Sequence, residues 1–428
     1  MIPWILTILS LLPGPQMDST SGTPAFRDLK FGIFIHFGLY SELAGEWQGE
    51  PIPERRPNAE QIDLTFKIPN KEYEKTAEIF NPSSFNATRW VAAIKKSGVK
   101  YMVITAKHQD GFSMFKTKCS SFNILEATPF RRDVIREISE ACHKQGVEFG
   151  IYYSDARDFH EAGSNWNTHG NTWDFPPQTE QDFKDYFYGK VFCQVRELLT
   201  NYGRVSVMWF DVPYKLTLTM SADLRRLVHS IQPQCMINSR IGNGLGDYIS
   251  LGDNTVADHT LDSAWETCIT TNHTWGYSKF DHNFKSARLL LHTLVNMVSR
   301  GGNLLLNIGP DGDGQFPPKA QAVMDTLGRW LAVNREAVYG AGASPFHDPP
   351  EWRCTARPGK LFFHLFTWTG GPMRISGIQG EIKEARFLAN GKTIPVKQLD
   401  GSAVFTLPRE PVDPYMTVIE VKLKPKSK

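Results

Sequence analysis

The chain has 428 residues, 41% of them hydrophobic, and is therefore long enough for two domains with a large core. Its 47 Lys and Arg residues nearly balance its 45 Asp and Glu residues, so the net charge does not favour a polyanionic partner. The sequence contains no basic cluster long enough to bind nucleic acid, and we expect no nucleic-acid partner.

The N-terminal segment from Met1 to Leu12 is apolar. A run of this length suits the hydrophobic region of a signal peptide and is too short to span a bilayer. The segment lacks a basic flank and a clear cleavage site, so the alternative is that it is a disordered or wrongly assigned N-terminus and not a signal peptide. We predict that residues 1–24 form a signal peptide and tail, that the protein is secreted or periplasmic, and that no other segment is an integral membrane span.

Strand-like and helix-like segments alternate from about residue 28 to residue 340. The strand patterns cover residues 31–36, 100–106, 147–153, 205–211, 235–238 and 303–308. The helical patterns cover residues 89–96, 133–144, a stretch ending near Gly203, 224–231 and 284–298, with Asp133 as a helix cap. Such repetition requires parallel strands with right-handed crossovers. Since no GxGxxG turn follows the first strand, we predict a (β/α)8-like barrel over residues 25–340.

The segments become short and strand-like beyond residue 340. Strand patterns cover residues 361–368, 385–388, 403–407 and 417–423, and Asn390 with Gly391 offers a tight hairpin turn. This series of short strands predicts a small antiparallel β-sandwich over residues 341–428. It contains no obvious catalytic cluster, so we expect a role in packing or carbohydrate contact.

Polar side chains stand at the carboxyl ends of the predicted barrel strands. Asp211 is the most informative, because it ends the hydrophobic run that begins at Val205 and reads as a strand buried on both faces. The alternative to a functional role is that Asp211 caps a helix or forms a salt bridge. The carboxyl ends of barrel strands share one mouth, where we expect the following side chains to meet: His36, Lys107, His108, Tyr152, Ser154, Asp211, Asn238 and Arg240.

The carboxylates of this mouth favour glycoside hydrolysis, which uses two carboxyl groups. Asp253, Glu266 and Glu60 compete as the partner of Asp211. The chain also has 11 tryptophans, which suit apolar sugar faces, although aromatic residues are first of all core residues. Each of these side chains also has a structural interpretation. His36 or His108 could be a hydrogen-bonded histidine of the core, Arg240 could form a structural ion pair, and Trp209 could be an ordinary core residue.

A metal-assisted hydrolase is the competing class of barrel enzyme. His36, His108 and Asp211 could ligate an ion, but no HxH or HxxxH spacing accompanies them, so we expect no metal or other cofactor. The cysteines lie far apart without a CxxC pair, which indicates buried thiols in place of a zinc site or a disulfide scaffold. They are Cys119, Cys142, Cys193, Cys235, Cys268 and Cys354.

Six motifs occur in one order along the chain: Lys30-Phe-Gly-Ile-Phe-Ile-His-Phe-Gly38, Lys107-His-Gln-Asp-Gly-Phe112, Gly150-Ile-Tyr-Tyr-Ser154, Trp209-Phe-Asp211, Trp275-Gly-Tyr277 and Val298-Ser-Arg-Gly-Gly-Asn-Leu-Leu-Leu-Asn-Ile-Gly-Pro310. With these motifs, the chain from Phe31 to about Tyr339 resembles the α-L-fucosidases of glycoside hydrolase family 29. Together they are highly specific. The resemblance implies a retaining exo-hydrolase with a barrel, a C-terminal β-sandwich and a fucosylated oligosaccharide or glycoconjugate as substrate.

The resemblance also implies roles for individual residues. Asp211 looks like the nucleophile of the family, and Asp253, which follows a Gly-Asp-Tyr stretch, looks like its acid/base. Glu266, in a recurrent Trp-Glu motif, is the runner-up for the acid/base. The residues that match the family's fucose contacts are His36, His108, Tyr152, Trp209 and Arg240.

Two departures from the family pattern affect the edge of the sugar site. Gln109 stands where the family usually has a second histidine, and an amide can hydrogen-bond but cannot carry charge. The family's Glu-Trp pair falls on Glu60 and Gln61, so we expect Trp47 to supply the missing indole. An α-L-galactosidase on the same scaffold and a non-catalytic carbohydrate-binding protein remain alternatives.

Overall fold

Eight parallel strands form the central sheet of the computed structural model, which describes residues 23–166, 170–347, 349–399 and 401–425. Their spatial order is β5-β4-β3-β2-β1-β8-β7-β6, and a parallel bridge between Asn238 and Tyr248 brings the two end strands together. The sheet is therefore curled as in a (β/α)8 barrel, as predicted. The strands are β1 Phe31–Ile35, β2 Tyr101–Lys107, β3 Glu148–Ser154, β4 Val207–Asp211, β5 Met236–Ile237, β6 Ile249–Ser250, β7 Trp265–Thr270 and β8 Asn303–Ile308.

Helices connect most of these strands and pack against the sheet. The longer ones are Asn70–Ile79, Ala87–Lys96, Val134–Gln145, Glu180–Tyr186, Phe192–Asn201, Leu218–Ile231, Ala287–Ser299 and Pro318–Asn334, and the short ones are Thr23–Arg27, Leu39–Leu43 and Ile62–Phe66. The predicted cap at Asp133 is confirmed, since its side chain accepts a hydrogen bond from the Arg136 backbone N–H. In the described chain, the connections from β5 to β7 contain a 3-10 turn, Ser239–Ile241, and no α-helix.

Side chains alternate between the barrel interior and the surrounding helices. Phe34, Tyr101, Tyr152, Trp209 and Leu305 belong to one buried cluster inside the barrel. The residues next to them along the strands belong to the larger cluster that the strands share with the helices. This period of two places the last inward-facing residue of each strand at the mouth of the barrel.

The C-terminal part consists of two antiparallel sheets, which confirms the predicted β-sandwich. Their strand orders are β9-β10-β15-β12 and β11-β14-β13. The turn predicted at Asn390 and Gly391 is present, with the Gly391 N–H donating to the Phe387 carbonyl oxygen at 2.9 Å. The strands are β9 Trp352–Arg357, β10 Lys360–Leu365, β11 Gly371–Ser376, β12 Ile382–Phe387, β13 Val396–Leu399, β14 Ser402–Leu407 and β15 Thr417–Leu423.

The sandwich has its own core and also contacts the barrel. Phe363, Phe405 and Ile419 pack together between its sheets. The indole N–H of Trp330, on the last helix of the barrel, donates to the Met416 carbonyl oxygen at 2.8 Å. The two parts are therefore joined by a buried hydrogen bond as well as by apolar packing.

The cysteine prediction is wrong for two of the six residues. Cys119 and Cys193 form a disulfide, with their Cα atoms 6.2 Å apart and a sequence separation of 74. The other four cysteines are buried thiols, as expected. Across the described ranges, none of the helices has both the length and the apolar character needed to span a bilayer. The predicted signal segment lies outside the described residues.

Candidate active site

A cavity of about 330 Å³ opens at the carboxyl ends of the barrel strands. Nine of the predicted site residues line it. The sequence therefore predicted most of the wall of one cavity. Glu266 and Trp47 do not line it, and neither do Lys107, Ser154 and Asn238, which were expected at the mouth. Lys107 instead pairs with buried Asp158, and Asn238 hydrogen-bonds the Phe210 backbone. The lining residues are Phe34, His36, Asn58, Glu60, Gln61, His108, Gln109, Tyr152, Trp209, Asp211, Arg240, Asp253, Cys268 and Trp275.

Asp211 is the last residue of β4, and both of its carboxylate oxygens have a donor. The Tyr152 hydroxyl donates to Oδ2 at 2.8 Å, and Arg240 Nη1 donates to Oδ1 at 3.0 Å. Burial raises the pKa of Tyr152, and the charge of Asp211 raises it further, so the phenol keeps the proton that it donates. These two contacts fix the orientation of the carboxylate at the floor of the cavity.

Arg240 joins two carboxylates of the cavity. It lies in the turn after β5, and its Nη2 donates to Asp253 Oδ1 and, at 3.0 Å, to the Leu251 carbonyl oxygen. Its guanidinium carbon lies 4.7 Å from the centre of the Trp209 ring. Burial opposes the charge of Arg240, but Asp211 and Asp253 outweigh it and raise its pKa. Arg240 is therefore a fixed cation between Asp211 and Asp253.

His36 is a neutral hydrogen-bond acceptor at the cavity. Asn307 donates its amide N–H to the Trp275 carbonyl oxygen at 2.8 Å, so its Oδ1 accepts from His36 Nδ1 at 2.6 Å. Burial lowers the pKa of His36 to about 4, and the ring is uncharged at neutral pH. Because Nδ1 carries the proton, Nε2 is left as the acceptor for a ligand hydroxyl.

Three rings form a stack along one wall of the cavity. The rings of His108 and Tyr152 are 5.3 Å apart at an angle of 17°, and those of Tyr152 and Trp209 are 5.6 Å apart at 20°. Burial lowers the pKa of His108, so this imidazole is also neutral. In the part of the chain that the structure describes, His108 Nδ1 has no hydrogen-bond partner. The stack therefore presents an apolar surface beside an unsatisfied polar group.

The indole at the edge of the cavity comes from Trp275 and not from Trp47. Trp47 is half-buried in a small ribbon, Glu46–Trp47 paired with Glu50–Pro51, and is not among the lining residues. Glu60 lines the cavity as predicted and accepts from the Gly276 N–H at 3.0 Å. Burial raises the pKa of Glu60 to about 7, so its carboxyl is partly protonated at neutral pH.

Glu266 lies deeper in the barrel, near the start of β7, and is fully buried. Tyr101 donates its hydroxyl to Oε2 at 2.6 Å, and Trp209 donates its indole N–H to Oε1 at 2.8 Å. Burial raises the pKa of Glu266 to about 7. Its link to the cavity runs through the Trp209 ring, so its position suits a residue that holds that ring in place.

Several cavity residues were missed by the sequence analysis. Phe34 precedes His36 by two positions on β1, and Cys268 follows Glu266 by two positions on β7, so the strand period of two could have identified both. Asn58 and Trp275 lie in loops, where no periodic signal exists. Among the described residues, the group with metal-binding geometry is Cys119, Cys193 and Glu197, and its two cysteines form the disulfide.

The fold and the cavity together define a class of enzyme. A cavity at the mouth of a barrel, with carboxyl groups, neutral imidazoles and stacked rings, is an arrangement typical of a glycoside hydrolase. The family model for α-L-fucosidase matches residues 14–336, which is most of the chain. The chain therefore belongs to the α-L-fucosidase family of glycoside hydrolases, family 29.

Individual relatives agree with this assignment. The plasma α-L-fucosidase of Rattus norvegicus is 31% identical over 385 residues, which cover 84% of this chain and 81% of the rat protein. The crystal structure of the α-L-fucosidase from Vibrio sp. strain EJY3 has a TM-score of 0.88 and 33% identity, over 94% of this chain and 73% of that one.

A third relative bears on the reaction. A family 29 α-L-fucosidase of Bacteroides thetaiotaomicron, solved as a trapped covalent intermediate with 2-fluoro-fucosyl fluoride, has a TM-score of 0.85 and 26% identity, over 95% of this chain and 98% of that one. A covalent intermediate is the signature of retaining double displacement, in which a carboxylate attacks the sugar and water later releases it.

Proposed function

We propose that the protein releases terminal α-L-fucose from fucosylated oligosaccharides or glycoconjugates, with Asp211 as the nucleophile and Asp253 as the acid/base. One observation carries the proposal: both carboxylates line the same cavity, with Asp253 also at its border with the open chamber outside. Retaining hydrolysis needs two closely spaced carboxyl groups, one to form the glycosyl ester and one to move the proton.

Asp211 suits the nucleophile because its geometry is set before substrate binds. The Tyr152 and Arg240 contacts hold both oxygens in place, and the buried floor position limits competing water. A preorganised carboxylate loses little freedom when it attacks the anomeric carbon. The same two donors stabilise the carboxylate when the ester is hydrolysed.

Asp253 suits the acid/base because of where it stands. It lines both the sugar cavity and the larger open chamber outside it, so it lies at the boundary that a glycosidic oxygen would occupy. Its side chain is 52% exposed and can exchange protons with solvent. Glu60 lines the inner cavity alone, and Glu266 lines neither space. A pKa of about 7 keeps Glu60 and Glu266 as alternative proton donors.

The remaining walls support fucose as the sugar. His36 Nε2 can accept from a hydroxyl, and the rings of Phe34 and Trp275 provide apolar surface. Such surface suits the C5 methyl group of fucose better than the hydroxymethyl group of L-galactose. The presence of several cavity carboxyl groups argues against a binding protein without catalytic activity.

Secretion is part of the same proposal. The Cys119–Cys193 disulfide supports it, because disulfides persist in oxidising compartments and are rare in the cytosol. The apolar N-terminal segment is consistent with an exported protein.

The decisive experiment replaces the nucleophile. Asp211→Gly should abolish hydrolysis of an aryl α-L-fucoside while the fold persists, and azide should restore turnover by forming a fucosyl azide. NMR of the wild-type reaction should show α-fucose as the first product. The matched control is Asp258→Gly, at an aspartate whose side chain is 92% exposed, which should stay active.

Two results would contradict the proposal. Near wild-type turnover by the Asp211 variant would remove the nucleophile assignment, and β-fucose as the first product would indicate an inverting site. Faster hydrolysis of the aryl α-L-galactoside than of the fucoside would replace the proposed substrate.

A further inference from the structure

A second, more open chamber of about 1110 Å³ adjoins the sugar cavity. The two spaces share five lining residues, among them Asp211 and Asp253. A sugar whose anomeric carbon lies at Asp211 therefore directs its leaving group into the chamber. The lining residues that belong to the chamber alone therefore determine which leaving groups it can bind.

Arg157 provides one side of this outer wall. Its Nη1 donates to Gln109 Oε1 at 3.0 Å, and its guanidinium carbon lies 5.3 Å from the centre of the Tyr214 ring. Among the described residues, no carboxylate oxygen lies within 4.0 Å of the guanidinium nitrogens. Burial lowers the pKa of Arg157, and the charge of Asp211 opposes this effect in part. A guanidinium has five N–H donors, so most of them are available to a ligand after the Gln109 contact.

The segment after the nucleophile strand provides the other side. Val212 and Lys215 have φ angles of 58° and 64°, a left-handed conformation that is costly for side-chain-bearing residues and rare for a β-branched one. This backbone brings Tyr214, 46% exposed, and the exposed Lys215 onto the chamber wall. Within the described ranges, Lys215 also forms no ion pair of 4.0 Å or less.

The balance of charge in the chamber follows from these contacts. Its two carboxylates, Asp211 and Asp253, share the single positive charge of Arg240, so Arg157 and Lys215 bring the charged groups of the lining to a net charge of +1, three cations against two anions. Among the described residues, Arg157 and Lys215 are the cations of the chamber that form no ion pair of 4.0 Å or less, and Asp211 acts on Arg157 at longer range. A partly buried cation is stabilised when a bound anion replaces the water that it has lost.

We propose that the chamber is a leaving-group subsite selective for glycans that carry an anionic substituent, a sulfate ester or a carboxylate, close to the fucosylated residue. Arg157 and Lys215 are the specificity-determining cations, and Tyr214 is the surface on which the leaving sugar packs. This inference rests on the proposed fucosidase function, because the chamber receives the portion of the substrate that departs past Asp253.

The test compares fucosylated N-acetyllactosamines that are neutral, sulfated on the galactose or sialylated, in each fucosyl linkage. The measured quantity is the ratio of kcat/KM for the anionic substrate to kcat/KM for the neutral one. For the wild type we expect a ratio of roughly tenfold at low ionic strength, typical of one charge-assisted contact, and a smaller ratio as salt screens the charges. A preference for only the sulfated or only the sialylated substrate supports the proposal and identifies the anion.

Two variants connect the ratio to the proposed residues. Arg157→Gln and Lys215→Gln should each lower it towards one, and any general loss of activity cancels because both substrates are measured on the same variant. Lys215 is exposed, so its variant gives an answer even if Arg157→Gln does not fold. Arg89→Gln is the matched control, since exposed Arg89 lines a separate groove that shares no residue with the chamber.

The outcomes separate this inference from the proposed function. A wild-type ratio of one or less, or a ratio that neither variant changes, overturns the subsite while leaving the fucosidase function intact. Failure of the wild type to hydrolyse 4-nitrophenyl α-L-fucoside overturns both.

Discussion

Replacing Glu266 with glutamine tests the buried layer beneath the sugar cavity. A protonated Glu266 would still accept the indole N–H of Trp209 at one oxygen and could donate from the other oxygen to the Tyr101 hydroxyl. A glutamine reproduces this pattern, with its carbonyl oxygen towards Trp209 and its N–H₂ towards Tyr101. Glu266→Gln should therefore fold with the Trp209 ring in place.

The expected effect is a change in how stability depends on pH. Burial raises the pKa of Glu266 from 4.5 to about 7. Because the folded protein binds this proton more tightly than the unfolded chain, the stability it contributes is fully present below pH 4.5 and is lost as the pH rises through about 7. A difference from 4.5 to about 7, at about 1.4 kcal/mol for each pH unit, amounts to about 3 kcal/mol. Glutamine has no proton to lose, so the variant should gain about 3 kcal/mol relative to the wild type over that range.

The assay is urea unfolding of both proteins at a series of pH values from 4 to 8.5, followed by tryptophan fluorescence. Glu140→Gln, at an exposed helix position, is the control and should differ from the wild type by the same amount at every pH. A constant difference for Glu266→Gln would refute the reasoning. If this variant instead loses activity selectively on substrates with poor leaving groups, Glu266 is the acid/base and the assignment of Asp253 is wrong.

Three further outcomes are expected. Asp253→Ala should slow substrates with poor leaving groups by roughly 10²- to 10⁴-fold more than aryl fucosides with acidic phenols. The same leaving-group dependence in Glu60→Gln would transfer the role to Glu60. Activity on an aryl fucoside should survive exhaustive chelation, and a loss that zinc or calcium restores would contradict this. Replacing both Cys119 and Cys193 with serine should lower the free energy of unfolding by about 2–4 kcal/mol, and an unchanged urea midpoint would show that the disulfide does not stabilise the fold.

The sequence was informative where a hydrophobic run ends on a polar residue. β1 before His36, β4 ending at Asp211 and β8 were all predicted, because a strand buried on both faces has a nearly continuous apolar pattern. The convergence of their polar ends needed no further information, since parallel strands in a barrel share one mouth.

The sequence was uninformative where a local pattern is short or interrupted. β6 has two residues, and β7 contains Glu266 and two threonines, so neither segment stands out as an apolar run. The choice between Trp47 and Trp275 and the Cys119–Cys193 pairing depend on how distant segments meet, which no local spacing reports. The depth of Glu266 in the barrel depends on strand register. Cys268 lines the cavity, whereas Glu266, two residues earlier on the same face of β7, lies beneath it.

Arg240 and Asp253 follow β5 and β6, which are the two shortest strands of the barrel and have short runs of strand pairing. β5 and β6 have two residues each and meet at one bridge, whereas β1 pairs with β8 over five residues. Amide protons along β5 and β6 should therefore exchange with solvent through local opening sooner than those of β1 and β8. Local opening of β5 and β6 would act first on the segments that carry Arg240 and Asp253, beside the chamber that receives the leaving group, and would leave β1 and β8 paired.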